Sequence, residues 1–263
     1  MGNDDRVGIV LAGGSGTRLM PLTSYVCKQL LPVYDKPMIY YPLYTLLVMG
    51  IKRILVISTP ETTPLLENRL GHSCGGLDVE MSYLVQEKPN GLAQAFVLGE
   101  EFIGGNRVCL ILGDNLFIGS QFERLAKVAC QGHDNVIFGH RVADPCRYGI
   151  VEFDGNGNVL SIEEKPEHPK SNWAVPGIYF YNGDVVGIAK SLKPSARGEY
   201  EITDVNKAYL ERGNLKLTRM DSGDVWMDCG TFQSLNDASN LVRAMEERTG
   251  MLVSDIGRFK ALR

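Results

Sequence analysis

The sequence lacks long apolar runs, and it lacks clusters of positive charge. No stretch of its 263 residues approaches 18 consecutive apolar residues, so no transmembrane helix is expected. The 27 Lys and Arg residues are outnumbered by 31 Asp and Glu residues, which gives a net charge of −4. Binding to nucleic acid or to a membrane through a basic surface is therefore not expected. Residues 1–6 are polar and acidic where a signal peptide needs basic and then apolar residues, and we expect a cytoplasmic protein.

Metal-binding and disulfide patterns are also missing. The six cysteines lie far apart with no C-x-x-C spacing, and the four histidines show no ligand spacing such as H-E-x-x-H. Neither a zinc site nor a disulfide framework is therefore supported. Cys109 lies in an apolar run and is expected to be buried packing. For Cys229 the choice between packing and a chemical role stays open, because this residue follows Asp228.

The chain also has no internal repeat, low-complexity tract or linker rich in Pro, Gly and Ser. Its hydrophobic content of 44% and charged content of 22% are typical of a globular protein that buries a core. We therefore expect residues 1–263 to form one domain with two lobes, 1–150 and 150–263.

In the first lobe, short apolar runs alternate with helical patterns. The pattern predicts helices over Met38 to Met49, which is followed by Gly50, and over Leu92 to Phe102. Strands are predicted over Val7 to Ala12, Ile54 to Ser58, Val79 to Val85, Val108 to Leu112 and Val136 to Phe138. Such alternation favours an α/β fold, in which helices cover both faces of a mainly parallel sheet.

The second lobe has a different pattern. The turn sequence at residues 154–157, Asp-Gly-Asn-Gly, predicts a hairpin between Ile150 to Phe153 and Val159 to Glu164. A further strand is predicted over Trp173 to Tyr181 and a helix over Glu201 to Glu211. A helical apolar stripe runs through Leu235, Ala238, Leu241, Val242 and Met245. Antiparallel strands therefore join the sheet, which we expect to be mixed.

A glycine-rich loop directly follows the first predicted strand. Gly13, Gly14 and Gly16 permit tight turns whose N–H groups can bind phosphate, and Arg18 adds a bidentate cation. The loop is not a dinucleotide fingerprint, because the third glycine would fall at Leu19, and the chain contains no P-loop sequence. A triphosphate cradle and a plain glycine-rich turn remain as the two interpretations.

Three further charged residues could serve the same ligand. Lys28 follows ten residues after Arg18 and could contact the other side of the phosphates. Asp114 comes directly after the strand Val108 to Leu112, at the sheet edge where α/β proteins bind ligands. Asp228 likewise ends an apolar segment, so the two carboxylates could share one Mg²⁺. Alternatively, Lys28 is a solvated surface charge, and Asp228 is a turn residue or caps the helix that starts near Thr231.

The hairpin ends in a charged segment. Glu163 and Glu164 point to opposite faces of the predicted strand, and Lys165 offers a cation for a sugar phosphate. Surface salt bridges are the alternative.

Together these segments resemble the sugar nucleotidyltransferase family, and in particular its glucose-1-phosphate thymidylyltransferases. The resemblance covers nearly the whole chain. It rests on seven segments in one order: 13–18 (GGSGTR), 28–43 (KQLLPVYDKPMIYYPL), 90–96 (NGLAQAF), 112–115 (LGDN), 147–149 (RYG), 163–166 (EEKP) and 198–204 (GEYEITD).

The resemblance implies a Rossmann-like three-layer sandwich with a mixed, mainly parallel central sheet and a small antiparallel sugar-binding portion. It implies that Asp114 and Asp228 bind Mg²⁺, that Arg18 and Lys28 grip the triphosphate, and that Lys165 holds the sugar phosphate as a third catalytic cation. The implied nucleotide-binding residues are Leu11, Gly13, Gly14, Gly16, Gln86 and Gly91. The implied sugar-phosphate-binding residues are Tyr148, Gly149, Glu164, Lys165 and Val175.

The sequence departs from the family pattern at a few positions. Cys27 stands where serine is usual, Trp173 where tyrosine is common, and Met227 and Cys229 flank Asp228. None of these changes removes a charged group of the implied site. The chain stops at Arg263, whereas long family members continue with helices that help form an allosteric product site. The resemblance implies a homo-oligomer but leaves open both its size and feedback inhibition.

The activity implied by the resemblance is condensation of dTTP with glucose 1-phosphate, which yields dTDP-glucose and pyrophosphate. Two alternatives remain. The first is the same chemistry with UTP or another sugar 1-phosphate. The second is a catalytically silent nucleotide-binding regulator, which would be expected to lack Arg18, Lys28 or the aspartates.

Overall fold

The computed structural model of the chain describes residues 6–14 and 16–260. The strands in this part of the chain are β1 Val7–Leu11, β2 Pro32–Val33, β3 Lys36–Pro37, β4 Arg53–Ser58, β5 Glu80–Val85, β6 Val108–Leu112, β7 Asn115–Ile118, β8 Val136–Arg141, β9 Gly149–Phe153, β10 Val159–Glu164, β11 Trp173–Ala174, β12 Ile178–Tyr181, β13 Lys216–Arg219 and β14 Val225–Asp228. The α-helices are α1 Tyr40–Val48, α2 Thr63–Leu70, α3 Gln94–Leu98, α4 Glu100–Ile103, α5 Ser120–Gln131, α6 Val185–Ser191, α7 Ile202–Glu211 and α8 Phe232–Thr249. Ser15 of the glycine loop and the polar residues 1–5 lie outside the described residues, as does Arg263.

The central sheet is mixed, as the alternating pattern predicts. Its order is β13-β8-β12-β6-β1-β4-β5. All of these strands point the same way except β12, which is antiparallel to both of its neighbours, β6 and β8. The short strands β9, β10 and β11 extend the sheet from β8 as an antiparallel portion. The predicted hairpin is the β9–β10 pair.

Helices cover both faces of this sheet. In β1 the buried side chains alternate, so that Val7, Ile9 and Leu11 pack on one face while Val10 and Ala12 pack on the other. The face of Val10 is covered mainly by α1, α2 and α5, and that of Ile9 by α3, α6 and α7. The predicted three-layer architecture is therefore confirmed.

The predicted strand Trp173 to Tyr181 is wrong as one element, because it divides into β11 and β12. Pro176 has no N–H to donate to a sheet, and there the chain exchanges β9 for β6 as a partner while it keeps β8. Gly177 makes this crossing possible, since a Cβ at that position would lie 2.6 Å from the side chains of Leu112 and Asn115. The break directly adjoins Val175, a predicted site residue.

The predicted helix Leu92 to Phe102 also divides, into α3 and α4. Gly99 separates the two and packs tightly, because a Cβ there would lie about 3.2 Å from the Ile9 side chain. Glycine inside a helix weakens it, and here the close approach to the sheet fixes the break. The helix predicted at Met38 to Met49 is confirmed as α1, which is followed by Gly50 with a φ of 83°.

The longest of the described helices, α8, follows β14. It begins at Thr231, whose side chain accepts from the Ser234 backbone N–H in a capping box. The alternative that Asp228 caps this helix is therefore wrong. The buried residues Ala238 and Val242 of α8 pack with Val33 and Cys229. No helix within residues 6–14 and 16–260 combines the length and apolar character that a bilayer crossing needs.

Candidate active site

The glycine loop and both aspartates meet at the carboxyl edge of the central sheet. β1 and β6 are adjacent and parallel, and the backbone N–H of Gly113 donates to Leu11 O at 2.9 Å. The loop that follows β1 therefore lies beside Asp114. Asp228 reaches the same place because β14 pairs with β7, opposite Asn115, and because Cys229 N donates to Asp114 O at 2.9 Å.

A cavity of about 350 Å³ opens above the glycine loop. All six residues that the resemblance assigns to the nucleotide line it, together with Arg18, Lys28 and Asp114. Its lining consists of Leu11, Gly13, Gly14, Gly16, Thr17, Arg18, Lys28, Gln86, Pro89, Gly91, Leu92, Leu112, Asp114, Glu199 and Gly230. We call it the nucleotide cavity.

Gly13 and Gly230 of this cavity lie close to polar side chains. A Cβ at Gly13 would lie 2.7 Å from Gln86 Oε1, and one at Gly230 would lie 2.6 Å from Arg18 Nη2. A larger residue at either position would displace a polar side chain from the cavity. The loop therefore brings its backbone close to its neighbours, as a phosphate cradle requires.

The two aspartates form a partly buried acidic pair, and Asp114 has polar partners. Asn115 Nδ2 donates to Asp114 Oδ1 at 2.8 Å, and Lys28 Nζ forms an ion pair with Asp114 Oδ2. Burial and the nearby charge of Asp114 raise the pKa of the Asp228 carboxyl. A pair of like charges held together in this way favours a cation between them.

The donor chemistry of this pair fits Mg²⁺. Mg²⁺ usually takes one or two carboxylates and completes its shell with water and substrate phosphates. The described residues contain no group of three or more His, Cys, Asp or Glu side chains placed to hold a metal. A two-carboxylate site that relies on substrate oxygens is therefore the kind of metal site that these residues can form.

A second cavity, of about 270 Å³, adjoins the first. The two share Arg18, Leu92, Leu112, Asp114 and Glu199. All five residues that the resemblance assigns to the sugar phosphate line it, namely Tyr148, Gly149, Glu164, Lys165 and Val175, and Asp228 lines it as well. We call it the sugar cavity.

The end of the β9–β10 hairpin supplies the charges of the sugar cavity. Glu164 accepts a hydrogen bond from Thr203 Oγ1 at 2.6 Å, and Lys165 Nζ lies 3.6 Å from Glu164 Oε1. Lys165 has a φ of 43°, a left-handed conformation that turns the chain at the strand end. Glu163 instead pairs with Lys170 at 2.8 Å, so the adjacent glutamates do face opposite ways.

Several residues of the sugar cavity were missed as individual site residues. Arg197 forms ion pairs with Glu164, Glu199 and Glu201, and it lines the cavity beside them. Trp226 packs edge-on against Tyr148 with ring centroids 5.0 Å apart. The signal for Glu199 and Glu201 lay in the segment 198–204, which contributes to the resemblance. No comparable sequence signal marks Trp226.

A further cavity, of about 450 Å³, lies at the opposite edge of the sheet, near Lys52 and Arg107. Within the described residues, its lining includes none of the predicted site residues. Ligands of open α/β sheets bind at the carboxyl ends of the strands, so the two smaller cavities are the stronger candidates.

Comparisons with known proteins agree with this geometry. The family model for nucleotidyl transferases matches residues 7–245. The chain is 54% identical over 240 residues to a glucose-1-phosphate thymidylyltransferase of Neisseria gonorrhoeae, covering 91% of this chain and 83% of the relative. It is 52% identical over 251 residues to one of Mycobacterium tuberculosis, covering 94% and 85%.

Solved structures share the fold. A Bacillus anthracis protein assigned as a glucose-1-phosphate thymidylyltransferase and crystallised with sucrose matches with a TM-score of 0.82 and 42% identity, over 90% of this chain and 95% of that one. A UDP-glucose pyrophosphorylase in complex with UDP-glucose matches with a TM-score of 0.81 and 25% identity, over 92% and 99%. The chain therefore belongs to the nucleotidyl transferase family.

Proposed function

We propose that this chain condenses dTTP with glucose 1-phosphate to give dTDP-glucose and pyrophosphate. The observation that carries the proposal is that the nucleotide and sugar cavities meet at Arg18 and Asp114. Two substrates bound there would present their phosphates to each other. The relatives named for this activity, at 52–54% identity over most of the chain, support the same substrates.

The charge distribution indicates how the nucleotide lies. Arg18, Lys28 and Asp114 gather at one end of the nucleotide cavity, where the triphosphate would bind. Gln86 follows β5, which is three strands from β6, and its backbone lies about 14 Å from Asp114 along the sheet edge at roughly 4.8 Å per strand. The neutral Gln86 end is therefore the end for the thymine base.

The sugar phosphate would enter from the other side. Glu164 and the Gly149 backbone would bind the glucose hydroxyls, and Tyr148 and Val175 would complete the wall. Lys165 would hold the phosphate group. These roles place the phosphate oxygen of glucose 1-phosphate next to the α-phosphorus of dTTP.

The reaction is in-line attack by that phosphate oxygen on the α-phosphorus, with pyrophosphate as the leaving group. The nucleophile is already an anion, so no general base is needed. Holding two repelling anions in line can contribute about 7–11 kcal/mol to the rate enhancement. Arg18 and Lys28 would stabilise the charge that develops on the phosphate oxygens.

Asp114 and Asp228 would hold Mg²⁺ against the phosphates. When bound, Mg²⁺ supplies charge screening at the phosphoryl oxygens. Lys28 pairs with Asp114, and it would turn toward the triphosphate once a cation occupies the carboxylate. The aspartates themselves take no proton in the reaction.

The two lobes would act as one domain. Glu199 and Gly230 of residues 150–263 line the nucleotide cavity, while Arg18 and Asp114 of residues 1–150 line the sugar cavity. A nucleotide-binding lobe and a sugar-binding lobe are therefore useful descriptions only of where most contacts arise. The homo-oligomer and the cytoplasmic location stay predictions.

The proposal is tested by pyrophosphate release from a matrix of nucleoside triphosphates and sugar 1-phosphates with Mg²⁺ present. The expected result is fastest release with dTTP and glucose 1-phosphate, and dTDP-glucose as the product. Faster release with UTP would favour the alternative base, which the match to a UDP-glucose pyrophosphorylase makes the second candidate. No release with any pair would contradict the proposal.

A further inference from the structure

The Gln86 side chain is almost fully buried at the base end of the nucleotide cavity, with an exposed fraction of 3%. Its Nε2 donates to Gln94 Oε1 at 2.8 Å. Its Oε1 faces the glycine loop, because a Cβ built on Gly13 would come within 2.7 Å of that oxygen. Gln94 lies behind Gln86 at the start of α3 and is not among the described residues that line the cavity.

The direction of the Gln86 amide matters because its two ends have opposite chemistry. The oxygen accepts hydrogen bonds and the nitrogen donates them, and half a turn about the last side-chain bond exchanges the two. Thymine and uracil present a ring N–H beside a carbonyl oxygen, whereas cytosine presents a bare ring nitrogen beside an amino group. An amide oxygen that meets the ring nitrogen therefore matches thymine and uracil, whose ring N–H donates, and mismatches cytosine, whose ring nitrogen only accepts.

The backbone of Gln86 is held in the sheet, and its buried side chain has little room to change rotamer. Its backbone N–H donates to Ser58 O at 2.7 Å, which continues the β4–β5 pairing by one residue. Rotation of the terminal amide is therefore the freedom that remains. Gln94 restricts it, because the hydrogen bond from Gln86 Nε2 to Gln94 Oε1 holds the Gln86 amide in one of its two directions.

We propose that Gln94 is a positioning residue for base selection, which holds the Gln86 oxygen toward the cavity and thereby disfavours cytosine. This inference rests on the proposed function of the nucleotide cavity. Gln94 would not contact the nucleotide. It would act only through the amide of Gln86, so its effect is expected on the choice between pyrimidines rather than on turnover with dTTP.

The test compares kcat/KM for dTTP, dCTP and dUTP in variants at position 94. Gln94→Met removes the acceptor at nearly constant size, and Gln94→Glu retains it as a group that only accepts. Gln121→Met, at a half-buried position of α5 that lines neither cavity, is the matched control for the same chemical change. Thermal unfolding of each variant shows whether it is folded.

We expect Gln94→Met to lower the preference for dTTP over dCTP by about tenfold or more. Without the acceptor at residue 94, the Gln86 amide can turn and form a hydrogen bond with cytosine as well. Gln94→Glu and Gln121→Met should retain the wild-type preference. The ratio of dTTP to dUTP should stay unchanged in every variant, because both bases present the same N–H. An unchanged dTTP-to-dCTP ratio in folded Gln94→Met would overturn the inference.

A second variant covers the case in which Gln94→Met does not fold. Gln94→Lys presents a donor in place of the acceptor, so Gln86 should turn its oxygen away from the cavity, and the preference should shift toward dCTP. A wild-type ratio in this variant would equally overturn the inference. The proposed function has a separate test, because it fails only if the wild-type chain does not use dTTP. In that case, equilibrium binding of dTTP and dCTP to the variants still reports on the role of Gln94.

Discussion

The nucleotide cavity and the sugar cavity are built in different ways. The nucleotide cavity lies on parallel strands and depends on backbone, since glycines at 13 and 230 let polar side chains approach it closely. The sugar cavity gathers side chains from β10, α7 and β14. A site made of backbone tolerates few changes of residue size, whereas a site made of side chains can change its ligand by substitution. The contrast predicts that the two cavities respond differently to mutation.

The largest effect is expected where the cavities meet. Asp114→Asn removes a carboxylate that lines both, and turnover should fall by on the order of 10²-fold or more. Asp78→Asn is the matched control, because Asp78 is an exposed partner of Lys52 and should leave kcat unchanged. Wild-type turnover in Asp114→Asn, measured by pyrophosphate release, would contradict the metal assignment.

The backbone character of the nucleotide cavity is tested by Gly13→Ala. The added Cβ would displace Gln86 Oε1, so KM for dTTP should rise by about tenfold or more, while KM for glucose 1-phosphate should change little. Gly187→Ala in α6 adds the same group where no atom lies within 4 Å, and both KM values should stay as in the wild type. If the two variants have equal KM values for dTTP, the close approach has no function.

The side-chain character of the sugar cavity is tested by Lys165→Gln. Loss of its charge should raise KM for glucose 1-phosphate by roughly tenfold, since a charge-assisted contact to phosphate is lost, and should leave dTTP binding intact. Lys170→Gln is the control, because Lys170 is similarly exposed but pairs with Glu163. Unchanged KM values in Lys165→Gln would show that the assigned role is wrong.

The smallest expected effect concerns stability. Burial and Asp114 raise the pKa of Asp228, so the folded state disfavours the charged carboxylate, and stability is lost as pH rises through this raised pKa. At pH 7 without divalent ions, Asp228→Asn should therefore raise Tm, by roughly 2–4 °C for a gain of about 1 kcal/mol. A lower Tm, measured beside the Asp78→Asn control, would mean that the charged form is favoured by the fold.

The same contrast explains what could be predicted from the sequence. The glycine loop and Asp114 each directly follow an apolar run, so local pattern placed them at the sheet edge. The turn at residues 154–157 is also a local signal, and it predicted the β9–β10 hairpin. Features that depend on neighbouring residues in the chain could therefore be predicted from the sequence.

Features that depend on residues far apart in the chain could not be predicted from the sequence. Asp228 joins Asp114 only because β14 pairs with β7, and spacing alone favoured a turn residue or a helix cap. The strand predicted over Trp173 to Tyr181 divides at Pro176 and Gly177, where contacts with Leu112 and Asn115 decide the path. The strands β13 and β14 were missed for the same reason, since their places depend on pairing partners far along the chain. The helix α5 was also missed, although its buried residues recur at helical spacing and gave a local signal.

The most direct test of the proposed reaction across the two cavities is a crystal structure of the chain with dTDP-glucose and Mg²⁺. We expect thymine beside Gln86, glucose against Glu164 and the metal between the product phosphates and both Asp114 and Asp228. A product whose sugar lies outside the cavity formed by Tyr148 and Glu164, or a metal that contacts neither aspartate, would contradict it.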